Sequence, residues 1–198
     1  MKHKLLLSII IFFFSFAIES KSQGWITFGS TIGSKLTQKS ATYNSSFNPE
    51  IELGLRFPIT KVFGLGLSGN LRWIDTEKIE WFDEHKFIWD IYVGPSFFIP
   101  FDDFDTMSGF LIKPSIGYST SAAWFDPDVN SGSFSTMISA DFVFHGFTIG
   151  GFWRPMKQHI EDKSSSSKYG EYMKIMDFHA KPSFGIRIGY LFGDNLFN

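Results

Sequence analysis

Residues 51–57 read Ile-Glu-Leu-Gly-Leu-Arg-Phe, with Ile51, Leu53, Leu55 and Phe57 on one parity and Glu52, Gly54 and Arg56, preceded by Glu50, on the other. A period of two is the mark of a strand, because successive side chains leave opposite faces of the backbone. The alternation returns at 63–73, where Phe63, Leu65, Leu67, Leu71 and Trp73 oppose Gly64, Gly66, Ser68, Asn70 and Arg72. Residues 87–97 set Phe87, Trp89, Ile91, Val93 and Phe97 against Asp90, Tyr92, Gly94 and Ser96, with Ile88 off parity. Residues 110–118 set Phe110, Ile112, Ile116 and Tyr118 against Lys113, Ser115 and Gly117, with Leu111 off parity. Further strands are predicted at 134–144 (Phe134, Ile138, Ala140, Phe142, Phe144 on the apolar parity), 147–154 (Phe147, Ile149, Trp153) and 178–192. A weaker one at 25–36 carries Ile26, Phe28 and Ile32, which brings the total to eight.

The connections alternate in length. Long ones are predicted at 37–48, 74–86, 121–133 and 155–177, the last with the low-complexity tract Ser164 to Ser167. Short ones fall at 58–62, at the acidic 100–109 and at His145-Gly146. A two-residue hairpin there keeps Phe144 and Phe147 on one face, independently of the parity count. Long and short loops on alternate ends are what a membrane barrel shows, with the long ones outside the cell and the short ones in the periplasm.

The start of the chain adds a compartment. Lys2 and Lys4 precede an apolar run, 5–18, that includes Phe12, Phe13, Phe14 and Phe16, and a polar stretch Glu19-Ser20-Lys21-Ser22-Gln23 follows. This is the layout of a secretory signal, and the run is shorter than the roughly 20 residues a spanning helix needs. Residues 1–22 are therefore read as a signal peptide, cut near Ser22 or Gln23, and residues 23–198 as one barrel domain. The 198 residues contain no cysteine, which excludes disulfides, thiolate chemistry and an N-terminal lipid on cysteine. A net charge of −2 lacks the basic surface that nucleic acid requires, so no nucleic acid partner is expected.

The polarity of the alternation decides between a soluble and a membrane sheet. The polar parity holds Glu50, Glu52, Arg56, Arg72, Asp90, Lys113, Asp141, Arg154, His179, Lys181 and Arg187, too many charges for the core of a soluble barrel. Turned inward, charges of both signs can pair, while the apolar parity faces lipid. A β structure spanning hydrocarbon must close on itself, and eight strands leave an interior that side chains fill. Aromatic residues mark two rims. Trp25, Phe57, Phe63, Phe97, Phe144, Phe147, Tyr190 and Phe192 fall at the periplasmic edge, and Trp73, Phe87, Trp89, Tyr118, Phe134, Trp153 and Phe178 at the outer edge. The predicted fold class is all-β: an eight-stranded antiparallel up-and-down transmembrane β-barrel with a filled polar interior.

Three strands carry related segments, Gly94-Pro95-Ser96-Phe97, Lys113-Pro114-Ser115-Ile116 and Lys181-Pro182-Ser183-Phe184, two of them extending to Pro-Ser-Ile-Gly-Tyr (114–118) and Pro-Ser-Phe-Gly-Ile (182–186). Proline removes a ladder donor, so a local bulge or bend is expected at each. This Pro-Ser-x-Gly-Tyr pattern resembles the small outer-membrane β-barrel protein family over nearly the whole mature chain. The resemblance implies a signal peptide, about eight strands, outer-membrane lipid and lipopolysaccharide as surroundings, and handling by the barrel-assembly machinery through a C-terminal aromatic. Phe192 or Phe197 would play that part here.

Candidate chemistry is sparse. His159, Glu161 and Asp162 lie beside the serine tract and His179 begins the last strand, a set that could make a nucleophile and base if the loop folded over. No motif positions a serine. Asp102, Asp103 and Asp105, and Asp126 with Asp128, could gather Ca²⁺, but neither has an EF-hand spacing. Glu84 and His85 form only a lone pair of ligand types. No catalytic, cofactor or metal site is assigned. The expected role is a non-enzymatic structural or adhesive barrel whose long loops contact a surface or envelope protein. A lipid-modifying enzyme and a soluble periplasmic barrel with a small apolar ligand are the alternatives.

Overall fold

The computed structural model describes residues 22–38, 41–74, 86–101, 107–121, 130–165, 172–180 and 182–193. Its strands are β1 Gln23–Gln38, β2 Ala41–Pro58, β3 Phe63–Ile74, β4 Lys86–Pro100, β5 Gly109–Ser121, β6 Asn130–Ser131, β7 Ser133–Phe144, β8 Phe147–Arg154, β9 Gln158–Ser165, β10 Tyr172–Ala180 and β11 Ser183–Phe192. Each pairs antiparallel with its neighbour, and β11 returns to β1 from Gly24↔Phe192 to Ile32↔Phe184, closing the sheet. The segments β6 with β7, β8 with β9, and β10 with β11 each continue one another, so the barrel has eight strand positions, as the alternation predicts.

Two of the expected long loops are strand over most of their described residues. β1 and β2 pair out to Gln38↔Ala41, and β9 pairs β10 from Gln158↔Ala180 to Tyr172↔Ser165, so the sheet continues well past the last apolar pairs. The two short turns described throughout, 58–62 and 145–146, agree with expectation. His145 (φ 47°) and Gly146 (φ 87°) form the two-residue hairpin with both central residues in the left-handed region, and Phe144 pairs with Phe147.

The prolines behave in two ways. Between the pairs Ser183↔Arg154 and Ala180↔Gln158 the chain advances four residues from β8 to β9 but three from β10 to β11. β1 keeps a single register against β11 and β10, from Ile32↔Phe184 to Leu36↔Ala180, so the additional residue belongs to the Pro155 side. The bulge thus lies at Pro155, on the strand facing Pro182, and not at Pro182, where it is expected. At Pro95 and Pro114 there is none. The β4–β5 register is the same on both sides, Val93↔Ile116 and Phe97↔Ile112, but the intervening pairs are not made. The ladders on the far sides stay whole through Leu65↔Pro95 and Pro114↔Ile138. Each missing N–H thus faces the other proline, and two prolines cost one hydrogen-bonded position instead of two.

The wall is apolar. Phe134, Phe147, Ile149, Ile186 and Ile188 are exposed on it, while the charges at Glu50, Glu52, Arg56, Arg72, Asp90, Lys113, Asp141, Arg154 and Arg187 are buried. At both rims the aromatics meet as directly opposed cross-strand pairs. Trp73–Phe87 (5.5 Å), Tyr118–Phe134 (6.1 Å) and stacked Trp153–Phe184 (6.2 Å) lie on the outer side, with Phe63–Phe97 (5.6 Å) and Phe147–Tyr190 (5.2 Å) on the periplasmic side. Trp25 corrects the expected girdle. It is 2% exposed and belongs to an apolar floor inside the barrel with Phe98, Leu111, Val143 and Leu191. Leu111 therefore breaks the alternation because the floor needs it.

Candidate functional site

The described interior is built from three layers. Lowest is the apolar floor. Beside it Arg56, also buried, donates to Gln23 Oε1 (2.8 Å), Ser96 Oγ (3.2 Å) and the Val62 carbonyl (3.1 Å), tying the β2–β3 turn to the barrel mouth without a carboxylate among the described residues.

Above the floor sits a compact layer of two cations and two carboxylates. Arg187 donates through Nη1 to Glu52 Oε2 and through Nη2 to Asp141 Oδ2, and its Nε reaches Asp141 Oδ1 at 2.7 Å. Glu52 Oε1 also accepts from Trp25 Nε1 (2.9 Å) and Lys113 Nζ (3.3 Å). The lysine ammonium lies 3.7 Å from the centre of the Trp25 ring, a cation–π contact shielded from water. Charges cancel within the layer, and that is the condition under which buried ions are tolerable.

The upper layer again has two of each sign, but neutral groups join them. Arg154 Nη2 donates to Glu50 Oε2 (3.0 Å), its Nη1 to Thr31 (3.2 Å) and its Nε to the Tyr92 hydroxyl (3.3 Å). Arg72 Nη2 donates to Asp90 Oδ1 (2.9 Å) and to Gln158 Oε1 (2.8 Å). Gln158 Nε2 then donates to Ser119 (2.7 Å) and Ser135 (2.6 Å), and the Tyr92 and Ser135 hydroxyls share a bond of 2.8 Å. Tyr92, Met137 and Phe152 pack together among these polar groups.

Such large side chains fit a narrow barrel only where the facing residue is small. Trp25 pairs with Gly54, where a Cβ would lie 2.1 Å from the indole, and Phe152 pairs with Gly185, where it would lie 1.9 Å from the ring. Glycine at these positions supplies the missing volume.

An apolar wall around a filled, internally neutralised interior inverts the polarity of a soluble protein. This is a β-barrel of the outer-membrane type. Solved structures similar to it include Ail, the attachment invasion locus protein of Yersinia pestis (13% identity over 86% of this chain and 97% of that chain, TM-score 0.44). Others are the outer membrane protein OprG from Pseudomonas aeruginosa (8%, 87% and 96%, TM-score 0.43) and Neisserial surface protein A (12%, 85% and 96%, TM-score 0.40). At this distance the likeness carries no argument about activity. No family model matches the chain, and no curated protein matches it.

The residues singled out in the sequence are only partly brought together. His159 and His179 face each other across β9 and β10, and Glu161 faces Asp177. Asp162 has the opposite parity from His159 and Glu161, so the three do not share a face. The signal peptide through residue 21, Glu84, His85, Asp102, Asp103, Asp105, Asp126, Asp128, Ser166, Ser167, Lys181 and Phe197 lie outside the described residues, as do the side chains of Glu161, Asp162, Ser164, Ser165, Phe178 and His179. Among the residues searched, no group of three His, Cys, Asp or Glu side chains is placed to hold a metal. Gln158 is the interior residue that sequence reasoning missed. It sits in a polar segment taken for loop, and only the bulge before it turns its amide inward.

Proposed function

We propose that the chain is a non-enzymatic integral barrel of the outer membrane whose extracellular strands and loops meet lipopolysaccharide, a host surface or another envelope protein. On this reading residues 1–22 are removed on export, residues 23–198 form the barrel, and the barrel-assembly machinery inserts it. The observation that carries the reading is the burial of ion pairs, two against two in each layer, within an apolar aromatic-rimmed wall. A soluble carrier of an apolar ligand would need an apolar cavity, and the interior is occupied by ions and the floor beneath them.

Membrane fractionation with a heat-modifiability gel tests the proposal. Recovery with the outer membrane and different migration of boiled and unboiled samples are expected; recovery in the soluble periplasmic extract with unchanged migration would overturn it. Liposomes containing the barrel should show no solute flux above the empty control. A strain lacking the chain should keep its lipid A profile, and a missing acyl or headgroup modification would favour the enzyme reading.

A further inference from the structure

Two aromatic pairs bound the lipid-facing side of β5 and β7. Tyr118 meets Phe134 at the outer rim, and Phe110 meets Phe142 edge to face at 5.6 Å toward the periplasmic end. The outward positions between them carry no aromatic ring, and there the wall dips into a groove of about 560 Å³. Val93, Ile116 and Thr136 form its rim-side edge, and Pro95, Pro114 and Ile138 the opposite edge, each row in register across β4, β5 and β7. The recess is set by the backbone. Proline rings stay close to their own chain, and Gly94 beside them has no side chain; a Cβ on it would lie 2.2 Å from the Pro114 carbonyl oxygen.

The surroundings define an occupant. The volume is that of a small-molecule site, about 300–1,000 Å³, and the lining is aliphatic apart from Ser115 and Thr136. Ser115 is already engaged, since its hydroxyl donates to the Met137 carbonyl at 2.9 Å. Ile116↔Thr136 is the outward pair next below Tyr118↔Phe134, so the groove begins one pair beneath the aromatic girdle, at the depth of the outer leaflet's acyl chains. Pro155, at the bulge, lines its β8 end, and Lys157, two residues further on, is exposed. A lysine so placed can lay its stem along apolar surface and hold its ammonium among the headgroups. An apolar recess with a cation above one end matches a lipid that carries both an acyl chain and a phosphate.

We propose that this groove binds one acyl chain of an anionic, phosphate-bearing lipid of the outer leaflet, with Lys157 against the phosphate. The proposal rests on the reading of the chain as an outer-membrane barrel. It adds a lipid site on the wall to the contacts made by the extracellular strands and loops.

The test is photolabelling of the full chain, reconstituted in phosphatidylcholine vesicles, with phosphatidylglycerol that carries a diazirine in one acyl chain. Adducts mapped by mass spectrometry should concentrate on 93–95, 114–116 and 136–138, above the level on Ile186 and Ile188, which are equally open to lipid on β11. Thr136→Phe, which fills the groove, should bring that labelling down to the β11 level, and Ile186→Phe should leave it unchanged. Unlabelled phosphatidylglycerol should compete better than phosphatidylcholine, and Lys157→Gln should abolish the difference. Heat-modifiable migration, kept in every variant, separates failure of the site from failure of the barrel; should Thr136→Phe lose it, Thr136→Leu takes its place. Uniform labelling around the wall, groove labelling that survives the filling variant, or an anionic preference that survives Lys157→Gln would overturn the proposal. Groove labelling that emerges only on dilution of the protein into excess lipid would mark a contact between two copies and overturn it too.

Discussion

The two ionic layers contain the same charges, two positive and two negative, yet they are wired differently. In the lower layer charged groups touch each other directly, with Arg187 between Glu52 and Asp141, and the neutral partners Trp25 and Ser68 both serve Glu52. In the upper layer Thr31, Tyr92, Ser119, Ser135 and Gln158 stand between or beside the ions. Removing Arg187 from the lower layer leaves Asp141 with no other side-chain hydrogen-bond partner among the described residues. The upper layer can redistribute its hydrogen bonds. Compactness therefore raises the cost of any single loss, and neutral mediators lower it.

That contrast can be broken or sharpened by substitution, with urea-induced unfolding from lipid bilayers as the common measurement. The largest effect is expected for Arg187→Met, which leaves Asp141 without its guanidinium and should cost about 3–5 kcal/mol, enough to impair folding. Gly185→Val drives a side chain into the Phe152 ring and should cost about 1–3 kcal/mol by overpacking. Arg154→Gln removes a charge from the mediated layer but leaves a donor for Thr31 or Tyr92. About 1–3 kcal/mol is expected, less than for Arg187, and an equal or larger loss would refute the mediation argument. Gln158→Ala should cost about 1–2 kcal/mol and loosen the β9–β10 extension, seen as faster amide exchange above the bulge with the barrel unchanged. Asn70→Leu is the smallest. Both amide atoms of Asn70 are buried without a hydrogen-bond partner among the described residues, so the change should be neutral or stabilising.

The barrel's polarity and strand count were legible because lipid imposes them. Every strand inside the membrane must be apolar on one parity, so 51–57 and 63–73 declare themselves. Once β1, β2, β9 and β10 rise beyond the lipid that demand stops, and segments such as Gln158–Ser165 look like loop though they pair as strand. Trp25 was misplaced for the opposite reason. Its parity said inward, but its chemistry suits a rim, and only the glycine facing it at 54 reveals the space it fills. The interior layers were half legible: the sequence names the charges, but which cation meets which carboxylate depends on strand stagger. Arg154 and Glu50 are 104 residues apart in the chain, and no local pattern joins them.

The facing prolines of β4 and β5 have a consequence for association with other chains. A closed sheet is protected from aggregation because it offers no free backbone donors to a passing strand. At Pro95 and Pro114 the closure lapses for one hydrogen-bonded position, and an incoming strand would ordinarily find a template there. It finds carbonyls but no N–H group on either side, so it cannot form a reciprocal pair. The residues that open the wall also make the opening unusable as a seed.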